Sequence, residues 1–258
     1  MAFLTMDFHS DALGMATALS VILPESAKTQ IGMGGSRADH FPTLYLLHGL
    51  SDDHTIWARR TSIERYASRY GIAVVMPNAH RSWYCDMAHG GNYYTYIAKE
   101  VPAVCRAFFR GMSDAPEMNY IAGLSMGGYG ALKIALRSPG AFAGVASFSG
   151  AMDPANPKHV YNGSSYWADV FGPFENIRGS ENDVYALAEN AIREGTLPKK
   201  IYLSCGTEDS LLPCTRRMEE ILTAANVPHR YREAPGNHNW EFWDGEIERT
   251  LDYFFGET

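Results

Sequence analysis

Short apolar runs alternate with amphipathic stretches along most of the chain. Apolar runs bounded by turn residues such as glycine, asparagine and serine are typical of strands buried on both faces of a parallel sheet. The pattern therefore predicts a series of buried strands, namely TLYLLHG, IAVVMPN, NYIAGLS, AGVASFSG and KIYLSCG, followed by the more polar HRYREAP.

Amphipathic segments with helix start and stop signals separate these strands. The first predicted helix has a candidate cap in Thr61 or Ser62 and a stop at Gly71. The second has a local kink at Pro102, because proline lacks the backbone N–H that a helix interior requires. The predicted helices are TSIERYASRYG, YYTYIAKEVPAVCRAFFRG, GGYGALKIALRSPG, PCTRRMEEILTAANV and NWEFWDGEIERTLDYFF.

Two further runs near the start of the chain, AFLTMDF and ATALSVILP, predict an antiparallel pair that opens the sheet. Strands then alternate with helices to the end of the chain. This order is typical of an α/β domain with a mostly parallel central sheet and helices on both faces. We therefore predict a single α/β domain over residues 1–258.

The segment from Ala151 to Pro198 departs from this alternation. It is too long for an ordinary connection, and it contains several aromatic residues and one helical stretch, DVYALAENAIREG. One interpretation is a helical insertion with its own small core. The other is a cap, residues 151–198, that gives a substrate an apolar wall, because ligands in open α/β sheets bind beyond the carboxyl ends of the strands.

Charge and hydropathy exclude several classes of partner. The net charge is −7 and the chain has no lysine- or arginine-rich stripe, which argues against nucleic acid or an anionic membrane surface. No apolar run reaches the roughly 18 residues of a membrane span, and the first residues lack the basic segment of a secretory signal. We expect a cytoplasmic protein.

The four cysteines show no metal-binding or redox spacing. Cys85, Cys105, Cys205 and Cys214 contain no CxxC pair and have no histidine cluster nearby. We therefore predict no zinc site, and we expect buried free thiols, although a disulfide is an alternative.

The candidate nucleophile is Ser125, in the sequence Gly123-Leu124-Ser125-Met126-Gly127. The pattern G-x-S-x-G is by itself a weak signal in a chain with 24 glycines. Here, however, it falls between a predicted strand and a predicted helix, as a nucleophile elbow requires. Side chains two residues before and after the serine would collide in such a turn, which explains both glycines. The alternative is a glycine-rich turn in which the serine has no catalytic role.

A serine nucleophile needs a general base, which in this fold follows the acid in the chain. His238 lies in the loop APGNHNWEFW, after the last predicted strand, and is the candidate base. His229 begins that strand, where a structural role is expected.

The base in turn needs an orienting carboxylate. Asp209 follows the strand KIYLSCG and is the candidate acid. Glu208 is the main rival, and Asp153 is a further candidate after the preceding strand.

Two backbone N–H groups should stabilise the oxyanion of the tetrahedral intermediate. We predict Met126, directly after the serine, and Leu50, which follows His48 and Gly49 at the end of TLYLLHG. His48 is expected to be a buried, hydrogen-bonded residue that braces this loop.

The same loop contains Asp52, Asp53 and His54, which raises metal binding as an alternative. We favour a simpler role, in which Asp53 caps a helix that begins at Thr55.

Five motifs together resemble a known family. LLHGLSDDHTIWARRTSIERYA, GLSMGGYGALKIAL, GSENDVYALAE, CGTEDSLLP and GNHNWEFWD look like the bacterial tributyrin esterase branch of the esterase D family, in the expected order from Leu44 to Phe255. That family consists of serine carboxylesterases with the α/β-hydrolase fold. The resemblance implies the same nucleophile, acid, base and oxyanion residues as above, no cofactor, and often an oligomer, either a dimer or a tetramer.

The resemblance also implies a small-molecule ester substrate with a short acyl chain. Related branches leave S-formylglutathione-type thioesterases and feruloyl or acetyl-xylan esterases as alternatives, and a non-catalytic binding protein of the same fold is a further one. The aromatic side chains are either packing residues of the core or a surface on which a phenolic acyl group stacks. The candidate pocket residues are Trp57, Trp83, Tyr161, Trp167 and Trp240.

Overall fold

The computed structural model describes residues 1–25, 39–160 and 163–256. Its strands form one sheet of eight, in the order β1-β2-β4-β3-β5-β6-β7-β8. The strands are β1 (Ala2–Ser10), β2 (Met15–Leu23), β3 (Thr43–Leu47), β4 (Ala73–Pro77), β5 (Asn119–Leu124), β6 (Gly144–Phe148), β7 (Lys200–Gly206) and β8 (Arg230–Ala234).

The sheet is antiparallel only at its opening edge. β1 pairs with β2, and β2 with β4, in antiparallel register, whereas every pair from β4 to β8 is parallel. The predicted antiparallel start and parallel centre are therefore confirmed. Because β3 to β8 all run the same way, the loops that follow these strands meet at one edge of the sheet.

Helices cover both faces of the sheet. In β3, Tyr45 and Leu47 face one core, while Leu44 and Leu46 face the other, as the two-residue period of a strand requires. The helices are α1 (Ile56–Arg60), α2 (Ile63–Tyr70), α3 (Tyr93–Thr95), α4 (Val101–Phe108), α5 (Met126–Arg137), α6 (Ser164–Phe171), α7 (Val184–Glu194), α8 (Leu212–Ala224) and α9 (Trp240–Phe255).

The irregularity predicted at Pro102 is a π-helical segment. Residues Tyr96–Glu100 join α3 to α4, and Pro102 lies in the first turn of α4. The π-helical turn changes the α-helical hydrogen-bond pattern just before the position where proline lacks an N–H donor.

The described parts of the segment, residues 151–160 and 163–198, pack on the sheet and its helices. Its helix α7 is capped by Asp183, whose carboxylate accepts hydrogen bonds from Tyr185 N and Ala186 N, and it lies against α5. The buried side chains of α6, including Trp167 and Phe171, join the same core as α5. The segment is thus built onto the sheet domain through a shared core.

All four cysteines are buried and free, as expected. Within the described residues, no helix is both long and apolar enough to cross a membrane.

Candidate active site

Ser125 occupies a strained turn between β5 and α5. Its backbone has φ 53° and ψ −119°, a left-handed conformation that costs a non-glycine residue about 1–3 kcal/mol. Three hydrogen bonds hold it there. Ser125 N donates to Phe148 O at 2.9 Å, and Ser125 O accepts from Tyr129 N and Ala151 N, both at 3.1 Å. The turn is therefore fastened to β6 and to the segment that follows it.

The two glycines around this serine are required by close backbone contacts. A Cβ atom on Gly123 would lie 2.4 Å from the carbonyl oxygen of Gly127. A Cβ atom on Gly127 would lie 2.5 Å from Leu47 O. Both distances are far below van der Waals contact, so β3, β5 and α5 can meet at this turn only if both positions lack a side chain.

Asp209 and His238 form a hydrogen-bonded pair in the loops after β7 and β8. His238 Nδ1 lies 2.8 Å from Asp209 Oδ2, while Asp209 Oδ1 accepts from Leu211 N at 2.9 Å. The Asp209 side chain is fully buried, and that of His238 is 33% exposed. Burial alone would raise the pKa of Asp209, but the hydrogen bonds from His238 and Leu211 outweigh it and lower this pKa. Asp209 is therefore a buried carboxylate whose charge is stabilised by its partners.

The rival residues have other partners. Glu208 accepts a hydrogen bond from Gly236 N at 2.6 Å, and Asp153 forms an ion pair with Arg178 at 3.0 Å. The ring of His229 contacts the Val227 carbonyl oxygen at 2.8 Å. Of the candidate pairs, the structure brings together Asp209 and His238.

A cavity of about 560 Å³ joins Ser125 to His238. Both residues lie on its wall, and Leu50 and Met126 lie there as well. The remaining lining residues are Gly49, Ser51, Asp52, Trp83, Leu124, Ala151, Ser210, Leu211, Asn239, Trp240 and Trp243. Residues from the segments that follow six strands, β3 to β8, thus share one concave surface, as expected for a small-molecule site.

His48 braces the loop that contains Leu50. Its Nδ1 lies 2.7 Å from Gly49 O, its Nε2 accepts from Ala79 N at 2.9 Å, and Tyr84 OH donates to its carbonyl oxygen. Only a neutral imidazole can donate to a carbonyl with one nitrogen and accept an N–H with the other. Burial lowers the pKa of His48 to about 4, which keeps this state at neutral pH.

The acidic loop residues do not converge on one point. Asp53 Oδ1 accepts from Thr55 N and Thr55 Oγ1, whereas His54 Nδ1 contacts Ser20 Oγ at 2.8 Å. Asp52 instead faces the cavity. Across residues 1–25, 39–160 and 163–256, no cluster of three histidine, cysteine or acidic side chains is arranged to hold a metal.

Four of the five aromatic pocket candidates divide into two layers. Trp83 and Trp240 line the cavity, whereas Trp57 and Trp167 do not. Trp57 packs edge-on behind Trp240 with ring centroids 5.2 Å apart, and Trp167 packs behind Trp83 at 4.9 Å. Trp57 and Trp167 are buried and support the two rings in front of them. The Trp57 indole nitrogen donates to Leu47 O, and that of Trp167 donates to Pro154 O. Tyr161 lies outside the described residues.

The sequence reasoning missed two residues that surround the pair. The Trp243 ring packs edge-on against His238, with centroids 4.8 Å apart, and its Nε1 donates to Ser149 Oγ at 3.2 Å. The Ser149 hydroxyl also helps to lower the pKa of Asp209. Ser149 has a positive φ of 48°, but nothing in the sequence FSG marks it, because the contacts come from β7 and α9.

An eight-stranded α/β sheet with a serine at its strand-to-helix elbow defines a serine hydrolase of the α/β-hydrolase type. The chain is a carboxylic-ester hydrolase of this class. It belongs to the "Putative esterase" family, whose model matches residues 10–254.

Individual relatives agree with this family. The chain is 30% identical to an acetyl esterase of Caldicellulosiruptor saccharolyticus, over 98% of each chain. It is similar to fluorophosphonate-binding serine hydrolase F of Staphylococcus aureus, solved with substrate bound (34% identity, 99% of both chains, TM-score 0.89). It is also similar to an S-formylglutathione hydrolase of the same organism (34% identity, 98% of both chains, TM-score 0.86).

The elbow makes a prediction about stability. We expect Gly123→Ala to lower the free energy of unfolding by about 2 kcal/mol or more, since overpacked cores must shift backbone to relieve the contact. Gly245→Ala in α9 is a matched control, because its Cβ would meet only the end of the Arg249 side chain. That variant should be as stable as the parent or gain up to about 1 kcal/mol. Urea titrations of the three proteins measure both effects, and equal midpoints for the two variants would contradict the prediction.

His48 makes a prediction about acid stability. Its pKa is about 4 in the folded chain and 6.5 as the ordinary value, so only the unfolded chain takes up this proton between those limits. Stability is therefore lost as the pH falls from about 6.5 to 4, by about 3 kcal/mol from this group. His48→Gln can keep both hydrogen bonds without titrating. The parent should lose about 3 kcal/mol more than this variant between pH 7 and pH 4 in urea titrations, and parallel losses would refute the assignment.

Proposed function

We propose that the chain hydrolyses short-chain acyl esters, with Ser125 as nucleophile, His238 as general base and Asp209 as the acid that orients the base. The observation that carries this proposal is the Asp209–His238 hydrogen bond on the wall of the cavity that also contains the strained Ser125. Asp209 thus has the histidine partner that its role requires, and His238 faces the same cavity as Ser125.

The reaction follows from this arrangement. Ser125 Oγ attacks the ester carbonyl carbon while His238 Nε2 takes the hydroxyl proton, and Asp209 stabilises the resulting imidazolium. The imidazolium returns the proton to the leaving alcohol, which leaves an acyl group on Ser125. A water molecule, deprotonated by His238, then releases the carboxylic acid and regenerates the serine.

The N–H groups of Leu50 and Met126 are the proposed donors to the oxyanion. Met126 is the first residue of α5, and the first N–H groups of a helix have no partner within the helix. The Ser125 N–H is already engaged by Phe148 O, so the next N–H along the turn, that of Met126, is the proposed donor. Leu50 faces the same cavity from the loop braced by His48.

The acyl preference is proposed from the size of the cavity and from its walls. A cavity of about 560 Å³ that is partly closed by Trp83 and Trp240 suits a small ester better than a long lipid chain. The similarity to an acetyl esterase supports the same preference, as does the resemblance to tributyrin esterases.

Two other substrate classes have specific support. The similarity to an S-formylglutathione hydrolase favours a thioester, which the same serine could attack. The partly exposed Trp240 on the cavity wall favours a feruloyl ester, because aromatic rings stack on a phenolic acyl group.

The nucleophile is tested by substitution and labelling. Ser125→Ala should lower the kcat for p-nitrophenyl butyrate at least about a thousandfold, with an unchanged circular dichroism spectrum, because only the hydroxyl forms the acyl-enzyme. Ser165→Ala, at an exposed position of α6, is the matched control and should keep parental activity. A fluorophosphonate probe should label the parent and the control but not Ser125→Ala. Full turnover by Ser125→Ala would eliminate the proposed nucleophile, and a parent that is neither labelled nor active would indicate a binding protein.

The substrate class is tested by a panel measured under one condition. We expect kcat/KM to be highest for acetyl and butyryl p-nitrophenyl esters and to fall at least tenfold for the octanoyl ester, because the proposed site favours a small acyl group. Ethyl ferulate and S-formylglutathione are included in the same panel. A value for either that exceeds the butyryl ester would replace short-chain esters with that substrate class.

A further inference from the structure

The wall of the candidate active site contains an acidic side chain that the proposed reaction does not use. Asp52 lies in the loop after β3 and lines the same cavity as Ser125 and His238. The position of a Cβ atom built on Gly49 locates it, because that point is 3.0 Å from Asp52 Oδ2 and 3.9 Å from Ser125 Cβ. The carboxylate oxygen is therefore at most about 7 Å from the serine Cβ.

The charge of Asp52 is not balanced inside the cavity. The described lining residues include no lysine and no arginine, and His238 is the other titratable group on the wall. Burial raises the pKa of Asp52, which is the effect of removing a carboxylate from water. A hydrogen bond with the Gly49 backbone and the charge of Arg60 lower this pKa, while Asp53 raises it, so the carboxylate is held without a cationic partner on the described cavity wall.

Two indole rings lie on the same wall. Trp83 and Trp240 both contribute to the cavity surface. Trp83 is 1% exposed, whereas Trp240 is partly exposed, so a substrate cation would meet the Trp240 ring. The face of an indole ring attracts a cation, as a carboxylate does, and aromatic rings recognise quaternary ammonium groups in this way. The Asp52 carboxylate and the indole ring on this wall therefore both attract a cation.

We propose that Asp52 is a specificity-determining residue that makes this cavity prefer esters with a cationic group near the scissile bond and disfavour anionic esters. This inference rests on the proposed ester hydrolysis at Ser125. The preferred substrates carry an ammonium group within a few bonds of the ester, on either its acyl or its alcohol side. Anionic thioesters and hemiesters are correspondingly poor substrates.

The expected selectivity follows from Coulomb's law. Two unit charges about 7 Å apart, at an effective dielectric between those of a protein surface and water, change kcat/KM by about tenfold. Substrates that differ only in charge are needed to detect such a factor, because size and apolar area also change rates.

The experiment compares butyrylcholine with its uncharged isostere, in which a tert-butyl group replaces trimethylammonium, and with sulfopropyl butyrate. A second pair places the charge on the acyl side, as the p-nitrophenyl ester of trimethylammoniobutyrate and its tert-butyl isostere. For at least one pair, the parent should prefer the cation about tenfold in kcat/KM. The sulfonate should be about tenfold slower than the neutral butyrate. The pair that responds shows on which side of the ester Asp52 lies.

Asp52→Asn keeps the shape of the side chain and removes its charge. In this variant the cation-to-neutral ratio should fall to about one, and hydrolysis of the sulfonate should rise relative to the neutral ester. Asp53→Asn is the matched control, because it removes the neighbouring charge from a side chain that bonds Thr55 and does not line the cavity. Its ratios should equal those of the parent.

A second measurement covers the case in which Asp52→Asn does not fold. The cation-to-neutral ratio of the parent should decrease between low and high salt, since ions screen a partly exposed charge. The inference would be overturned if the parent hydrolysed the charged and neutral esters equally well, or if the cation-to-neutral ratio of kcat/KM were unchanged in Asp52→Asn. Either result would leave Ser125-dependent hydrolysis of p-nitrophenyl butyrate intact. Loss of the proposed function itself would instead appear as no hydrolysis of any ester.

Discussion

The left-handed turn at Ser125 brings three backbone segments into direct contact, and the candidate site is arranged around that contact. The end of β3, the end of β5 and the first turn of α5 approach so closely that neither Gly123 nor Gly127 can carry a Cβ atom. Hydrogen bonds from the turn to Phe148 and Ala151 offset the cost of its backbone conformation. The contact places the serine beside the loop after β3, from which Leu50 and Asp52 reach the cavity.

A second constraint is the buried charge of Asp209. A carboxylate without access to water is stable only if hydrogen bonds replace its hydration, and here His238 and Leu211 N provide them. The same bond determines which way the imidazole of His238 points, while Trp243 packs against its ring and reaches Ser149. Stabilisation of the acid and orientation of the base are therefore one network, contributed by the loops after three neighbouring strands.

The loop after β3 holds a neutral side chain on its buried face and a charged one on the face that lines the cavity. On its buried face, His48 is neutral and satisfies one donor and one acceptor of the backbone, which keeps the loop in place. On its cavity face, Asp52 presents a carboxylate beside the serine. A rigid loop of this kind can hold an oxyanion donor and a charged group at constant distances from the substrate, which is the condition for selectivity by charge.

Local patterns in the sequence determined the strands, most of the helices and the elbow, because the spacing of apolar residues and of glycines acts over a few neighbouring positions, but they did not indicate α6. The order in which Ser125, Asp209 and His238 follow their strands also comes from the chain alone. Only the tertiary structure decided that Trp83 and Trp240 line the cavity while Trp57 and Trp167 lie behind them. It also decided that Ser149, Trp243 and Asp52 belong to the site. Those positions depend on contacts between segments far apart in the chain, where one tryptophan or aspartate has the same local pattern as any other.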